Sequence, residues 1–397
     1  MSANKEIAAE KPMFVLLFAG FGCFMLSFLA MGLGPWISLR ASMEPPEEMA
    51  KSSPYKDEDG NATPIGRGRE TYIHEGCWHC HSQFVRPVAN EEFRYGPVSQ
   101  AWETMYDVPN TFGTRRIGPD LSREAGRRSN DWHYAHLWNP RTTVPRSIMP
   151  NYPWMFEKEG DTWKPTEKAT DLVAYLQYLG GNFKEDVRKM VWPSRVETLG
   201  APSPSDAHSR RGEELFNKHC IGCHGEKGDG MGLAKDFLTP SAADLTTRYL
   251  PREEVFRVLF MGSEGSAMPS FAELTEKDLW ALSQYVHEFG KDVRKPALAT
   301  AGDAAAVERG KQVFEKNGCV TCHGKDGIVP EGLDSALKPG PKHFPDRLYT
   351  TDYIKHVMAE GRPGTGMAPY PGISGKDAED LAAYLSSLFN KTKYKEE

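Results

Sequence analysis

The chain has 397 residues with 48 Lys and Arg against 54 Asp and Glu, a formal net charge of -6. Residues 1–200, 201–300 and 301–397 carry -2, -3 and -1. No third has a basic excess, which argues against nucleic acid as a partner. The length beyond the first forty residues suits three domains of the usual ~100 to 150 residues.

The first predicted element, Met13 to Leu39, is almost wholly apolar and uncharged, long enough for the ~20 residues that a membrane helix needs. Its apolar run exceeds the ~7 to 15 residues of a signal-peptide core, and Lys5 and Lys11 are offset by Glu6 and Glu10, so it reads as an uncleaved anchor. The expected layout is a cytoplasmic stretch 1–12, an anchor 13–39, and three domains at 40–193, 209–290 and 307–390. Linkers are expected at 194–208 and 291–306 and a charged tail at 391–397.

Each domain contains one Cys-x-x-Cys-His motif: Cys77 to His81, Cys220 to His224 and Cys319 to His323. Two thiols at that spacing can add to the vinyl groups of one porphyrin, and the following His becomes the proximal iron ligand. A thioredoxin-like site or half of a zinc site explains one Cys pair but not a His after all three. The motifs use six of the seven cysteines, and Cys23 lies in the apolar run. Three covalent c-type haems are therefore expected. Such attachment takes place on the outer face of a bacterial inner membrane, so the N-terminus is read as cytoplasmic and all that follows Arg40 as periplasmic or outer-facing.

The second and third domains form an internal repeat with an offset of 99. Cys220 maps to Cys319, Pro240 to Pro339, Met268 to Met367 and Tyr285 to Tyr384. In each, a helix (Gly212 to His219, Gly310 to Gly318) delivers the Cys pair and carries Phe216 or Phe314 one turn earlier. A loop follows with Pro240 or Pro339, whose carbonyl is the expected acceptor for the ligand imidazole. Then comes a loop Met, Met268 or Met367, and a closing helix (Glu276 to Phe289, Lys376 to Phe389). The first domain keeps this order with longer loops: Gly68, Tyr72, Cys77, Cys80, His81, Pro119, Met149 and a helix around Thr166 to Leu179. The expected fold class is all-α, each domain resembling the small monohaem cytochrome c module. That resemblance implies Met149, Met268 and Met367 as sixth iron ligands opposite His81, His224 and His323. The bland reading of Met268 and Met367 is packing, since Met231, Met261 and Met358 also lie nearby.

Residues 1 to about 180 carry a more specific resemblance. His74 to Pro87 (His-Glu-Gly-Cys-x-x-Cys-His-Ser-Gln-x-Val-Arg-Pro), Arg94 to Ser99, Gly118 to Leu121, Trp132-His133-x-x-His136-Leu137 and Met149-Pro150-x-Tyr152-Pro153-Trp154 resemble the monohaem subunit of cbb3-type cytochrome c oxidases. Residues from about 205 onward resemble the dihaem cytochrome subunit of the same oxidases, or any dihaem cytochrome c. The resemblance implies an electron-transfer subunit without a catalytic centre, partnered by a haem-copper membrane subunit and supplied by a cytochrome c or a quinol-oxidising complex. It also implies a calcium near the haem propionates at the interface with the catalytic subunit, for which no ligand is assigned. The Arg94 to Ser99 segment is expected to face that subunit.

One anchor serving three haems reads as a fusion of two subunits, or as a monohaem subunit with an unrelated dihaem extension. Other readings stay open: a trihaem cytochrome subunit of a membrane-bound dehydrogenase, the donor subunit of a nitric oxide reductase, and a dihaem peroxidase. His133 and His136 are read as structural rather than metal-ligating. Arg210, Arg211 and His219 are read as a solvated face, with haem-propionate contact as the alternative.

Overall fold

In this computed structural model, residues 3–37, 47, 51–89, 91–160, 162–181, 202–390 and 393–394 are described. Helices of eight residues or more are numbered in chain order. Helix α1 (Ala3–Phe28) continues through a π-turn at Leu29–Leu33, and its apolar stretch Pro12–Ile37 is long enough to cross a membrane. Most of its large side chains, from Met13 to Ile37, lie exposed, as a lipid-facing helix requires. The expected linker 194–208 lies outside the described residues as far as 201, and the expected tail does so except for 393–394.

Beyond the anchor, three helical modules repeat one plan. The first is built from α2 (Pro64–His74), α3 (Asn130–Trp138) and α4 (Glu167–Tyr178). The second uses α5 (Asp206–His219), α6 (Arg252–Met261) and α7 (Glu276–Phe289). The stretch expected as a linker after it is helical over α8 (Lys291–Thr300), whose Val293 and Ala297 pack against Tyr249, Leu348 and Phe389. The third module uses α9 (Ala304–Lys316), α10 (Thr351–Glu360) and α11 (Lys376–Ser387). Among the described residues, strands are confined to two two-stranded ribbons, β1 (Phe156–Glu159) with β2 (Thr162–Pro165), and β3 (Arg248–Tyr249) with β4 (Leu348–Tyr349).

In every module the first helix crosses the last at a glycine. A side-chain carbon at Gly68, Gly212 or Gly310 would lie 1.9, 2.2 or 1.9 Å from the carbonyl oxygen of Asp171, Ala281 or Asp380. Four residues on, one turn along the same face, Tyr72, Phe216 and Phe314 are buried and meet Tyr175, Tyr285 and Tyr384 with ring centroids 5.4, 5.4 and 5.3 Å apart. The residue before each glycine is an arginine that clamps the crossing from outside: Arg67 to Asp171 at 2.6 Å, Arg309 to Asp380 at 2.6 Å and Arg211 to Asp278 at 2.8 Å. Arg211, which also pairs with Glu214, is thus committed to the outer helix face.

The first module's longer loops are held by buried ion pairs, including Arg69 with Asp107 at 2.9 Å, Arg116 with Glu91 at 2.6 Å and Arg123 with Glu103 at 2.5 Å. The Arg94 to Ser99 segment is tied inward: the Pro97 carbonyl accepts from Arg123 and the Ser99 hydroxyl accepts from the Val85 amide. Tyr95 lies beneath the guanidinium groups of Arg94 and Arg116.

The second and third modules dock about a pseudo-twofold axis. Tyr249 and Leu348, equivalent under the 99-residue offset, pair with each other across β3 and β4. Gly265 of one module presses on Lys338 and Pro339 of the other, and its equivalent Gly364 presses on Thr239 and Pro240. The symmetry breaks at one buried pair: Arg347 forms an ion pair with Glu254, whereas its equivalent Arg248 lies 4.8 Å over the ring of Tyr353. We expect Gly310→Val to destabilise the third module by about 1–3 kcal/mol through overpacking of the crossing. Gly372, with nothing within 4 Å of its would-be side chain, serves as the control, since Gly372→Ala should leave the thermal melt nearly unchanged.

Candidate functional site

The helix crossing positions three copies of one constellation. In the second module α5 ends at His219 and Cys220 opens a short turn, Ile221–His224, that carries the rest of the motif; Val320–His323 does the same in the third and Cys77–His79 begins it in the first. Each motif His is fixed through Nδ1 by a backbone carbonyl: His81 to Pro119 at 2.9 Å, His224 to Ala243 at 2.9 Å and His323 to Lys342 at 3.4 Å. Donating from Nδ1 leaves the opposite nitrogen, Nε2, as the lone-pair face, the arrangement that orients an imidazole for a metal.

Only the first of these carbonyls belongs to the expected proline. In the second and third modules the acceptor lies three residues beyond Pro240 and Pro339. Those prolines instead meet the glycine of the neighbouring module, because the chain turns toward the histidine only after it has made the intermodule contact. Ala243 and Lys342 are themselves separated by 99, so the error in residue kept the register.

The loop methionines are held by a device that the sequence reading missed. The amide of Met149 donates to the Ser147 hydroxyl at 3.3 Å, that of Met268 to Ser266 at 3.3 Å and that of Met367 to Thr365 at 3.1 Å. A hydroxyl two residues before each methionine was visible in the sequence and is the signal that was passed over. Three residues after each methionine, the amides of Tyr152, Phe271 and Tyr370 return to the carbonyls of Leu137, Leu259 and Met358 on the middle helices α3, α6 and α10. The competing methionines are placed differently: Met358 is a core residue of α10, Met261 packs at the end of α6 and Met231 is exposed.

The thiols sit where a neutral group is favoured. Burial pushes Cys77 and Cys220 up to about 12 and Cys223 up to about 11, and it lowers His81, His224 and His323 below the ordinary imidazole value. Uncharged thioethers and a neutral imidazole suit such surroundings, so the donor set fits a covalently attached haem with an axial His. His133 is buried beside Glu124, 3.7 Å away, and His136 shares a hydrogen bond with the Thr143 hydroxyl at 2.7 Å and stacks on Trp132. His219 is half-buried against Phe271.

We expect Ser266→Ala or Thr365→Ala to cost about 1 kcal/mol and to loosen the methionine loop. Faster amide hydrogen exchange at Met268 or Met367, with the helix crossing unchanged, is the readout.

Comparisons with known proteins divide the chain at the same places. Residues 61–194 match the family model described as cytochrome c oxidase, mono-heme subunit/FixO. Residues 207–286 and 305–385 each match cytochrome c oxidase, cbb3-type, subunit III. A cbb3-type cytochrome c oxidase subunit CcoP from Helicobacter pylori is 27% identical over 222 residues, 52% of this chain and 67% of that protein. The CcoP subunit of an Azospirillum species is 26% identical over 194 residues, 45% and 61% of the two chains. The FixP subunit of Azorhizobium caulinodans is 27% identical over 188 residues, 45% and 58%. The chain thus spans about two thirds or less of these relatives. A monohaem-subunit region followed by two subunit III regions places this chain in the cytochrome subunit families of cbb3-type cytochrome c oxidase.

Proposed function

We propose that the chain is a membrane-anchored trihaem cytochrome that passes electrons from a donor outside the inner membrane into the haem-copper core of a cbb3-type oxidase. Cys77 and Cys80, Cys220 and Cys223, and Cys319 and Cys322 attach the haems. His81 with Met149, His224 with Met268, and His323 with Met367 ligate the irons. The anchor runs outward from a cytoplasmic N-terminus and keeps all three modules beside the membrane. The observation that carries this reading is the threefold recurrence of one constellation, a Cys pair, an imidazole clamped through Nδ1 and a hydroxyl-pinned loop methionine, on family regions drawn from two oxidase subunits.

When bound, a c-type haem supplies reversible one-electron chemistry. The protein's part is to exclude water, hold the imidazole neutral and present a thioether, which favours the reduced iron relative to a second His. Buried aromatic pairs such as Phe314 with Tyr384 keep the site dry, and the carbonyl clamp keeps Nδ1 protonated and the ring in one orientation.

The test is purification of the tagged full-length protein from membranes, with haem measured per chain and co-purifying subunits identified. Three haems per chain are expected, falling to two in each of the double variants Cys77→Ser/Cys80→Ser, Cys220→Ser/Cys223→Ser and Cys319→Ser/Cys322→Ser. A polytopic haem-copper subunit and cytochrome-driven oxygen uptake should accompany it. Met367→His should leave a low-spin haem and lower one midpoint potential only. A chain with three haems that co-purifies with a quinoprotein dehydrogenase and no haem-copper subunit would overturn the oxidase assignment.

A further inference from the structure

The three motifs differ in what touches them. At Gly222, the second residue between the paired cysteines of the second module, a side-chain carbon would lie 2.2 Å from the Thr142 carbonyl oxygen and 3.1 Å from the Thr143 Cα, both in the first module. The corresponding residues of the other motifs, His79 and Thr321, are exposed. The second module's motif is therefore pressed onto the first module, and glycine is the residue that permits the approach.

The contact continues around the site. Trp132 and Ala135 of α3 form one buried cluster with Ala234, Leu238 and Ala267 of the second module, and Cys223 packs against it. Ala267 immediately precedes Met268, so both the thioether side and the methionine side of the second site meet α3. The Thr239 amide donates to Asp131 at 2.9 Å, Arg127 reaches Glu273 at 3.5 Å, and Phe237 packs 5.3 Å from Trp138.

The opposite face of α3 belongs to the first site. Leu137 lies in the first module's core with Met155 and Tyr152, and Met149 and Cys77 pack against the same cluster. The Leu137 carbonyl holds the turn that follows Met149. Between the two faces, His136 stacks on Trp132 with ring centroids 4.5 Å apart. One helix of nine residues is thus a wall shared by two sites. The third module meets the second through β3 with β4 and the Gly265 and Gly364 contacts.

We propose that α3 is the electron bridge between the second and first haem sites. This rests on the three-haem reading above. In such a transfer the centre held by His224 would be oxidised by one electron and the centre held by His81 reduced by one; no bond would form or break and no proton would move. Trp132 and Gly222 are positioning residues: they set how closely the two sites approach.

The test uses the intact holoprotein in detergent, with a ruthenium photoreductant on a cysteine introduced by Lys325→Cys, on the exposed side chain beside the third motif. Electron arrival at the first haem is followed after a flash. Gly222→Val should slow arrival by at least an order of magnitude with three haems retained and their midpoint potentials unmoved. The same change at the register-equivalent position, Thr321→Val, should leave the rate unaltered. Should Gly222→Val fail to assemble, Trp132→Ala, which leaves the motif itself intact, decides, and a severalfold slowing is expected. Wild-type arrival rates in Trp132→Ala, or in an assembled Gly222→Val protein, would overturn the proposal. Fewer than three haems in the unsubstituted protein would instead defeat the trihaem reading, so the two failures are distinct.

Discussion

Everything downstream in each module hangs on one steric constraint, the crossing of the first and last helices at a glycine. With hydrogen in place of a side chain at Gly68, Gly212 and Gly310, the two backbones come into contact, and the arginine before each glycine ties the crossing on its outer face. That closeness brings the aromatic residues one turn on into contact with the tyrosines of the last helix. The Cys pair follows the same first helix by less than two turns. A larger residue at the crossing would therefore tilt the helix that aims the motif, and the error would reach the motif histidine. The carbonyl clamp and the hydroxyl-pinned methionine loop refine a geometry that the crossing has already set.

Much of this was legible in the chain because it is local or repeated. A five-residue motif with fixed chemistry needs no tertiary knowledge, and the 99-residue register identified Met268 and Met367 by their equivalence. The span of α7 was read to the residue, since Thr275 caps its start and Gly290 follows its end. What escaped depended on where a loop turns in space. Pro240 and Pro339 looked like the residues whose carbonyls accept from the motif imidazole, a role that Pro119 does fill in the first module. Their carbonyls are displaced because these prolines sit at an intermodule contact that the first module lacks. Helix α8 was hidden by Pro296, which reads as a linker residue although it stands in the second turn of the helix. Gly222 gave no sign of its role, since nothing local distinguishes a glycine beside open solvent from one against another domain.

Duplication explains why the broken symmetry is informative. Two equivalent modules docked about a twofold axis must offer the same surfaces to each other, and the reciprocal pairing of Gly265 with Pro339 and Gly364 with Pro240 shows this. Differences between the copies then report what lies outside that shared interface, or where one partner had to change. The pair Arg347 and Glu254 against Arg248 and Tyr353 is of the second kind: both arginines are buried, and one is satisfied by charge and the other by an aromatic face. Removing Glu254 would take its carboxylate from the buried Arg347, at a cost of about 3–5 kcal/mol, whereas removing Arg347 would leave Glu254 its pair with Arg257. The two solutions are therefore not interchangeable one residue at a time.

Differences of the first kind cluster around the second motif. Gly222, Ala234 and Thr239 stand where the third module has Thr321, Leu333 and Lys338, and small residues replace larger or charged ones on the face that meets α3. Close approach between domains accounts for that difference, because each of these residues presents less bulk or charge on a surface that meets another module. The first module contributes the matching feature. Its insertions, held by Arg69, Arg116 and Arg123 in buried ion pairs, stiffen the loops around a third helix whose outer face carries Trp132 and Ala135. A wall between two sites must resist both neighbours, and a helix packed on both faces and anchored by Asp131 and Arg127 to the next module meets that requirement. The junction is then part of the fold of both modules, which is the condition under which a fixed distance between the two sites survives thermal motion.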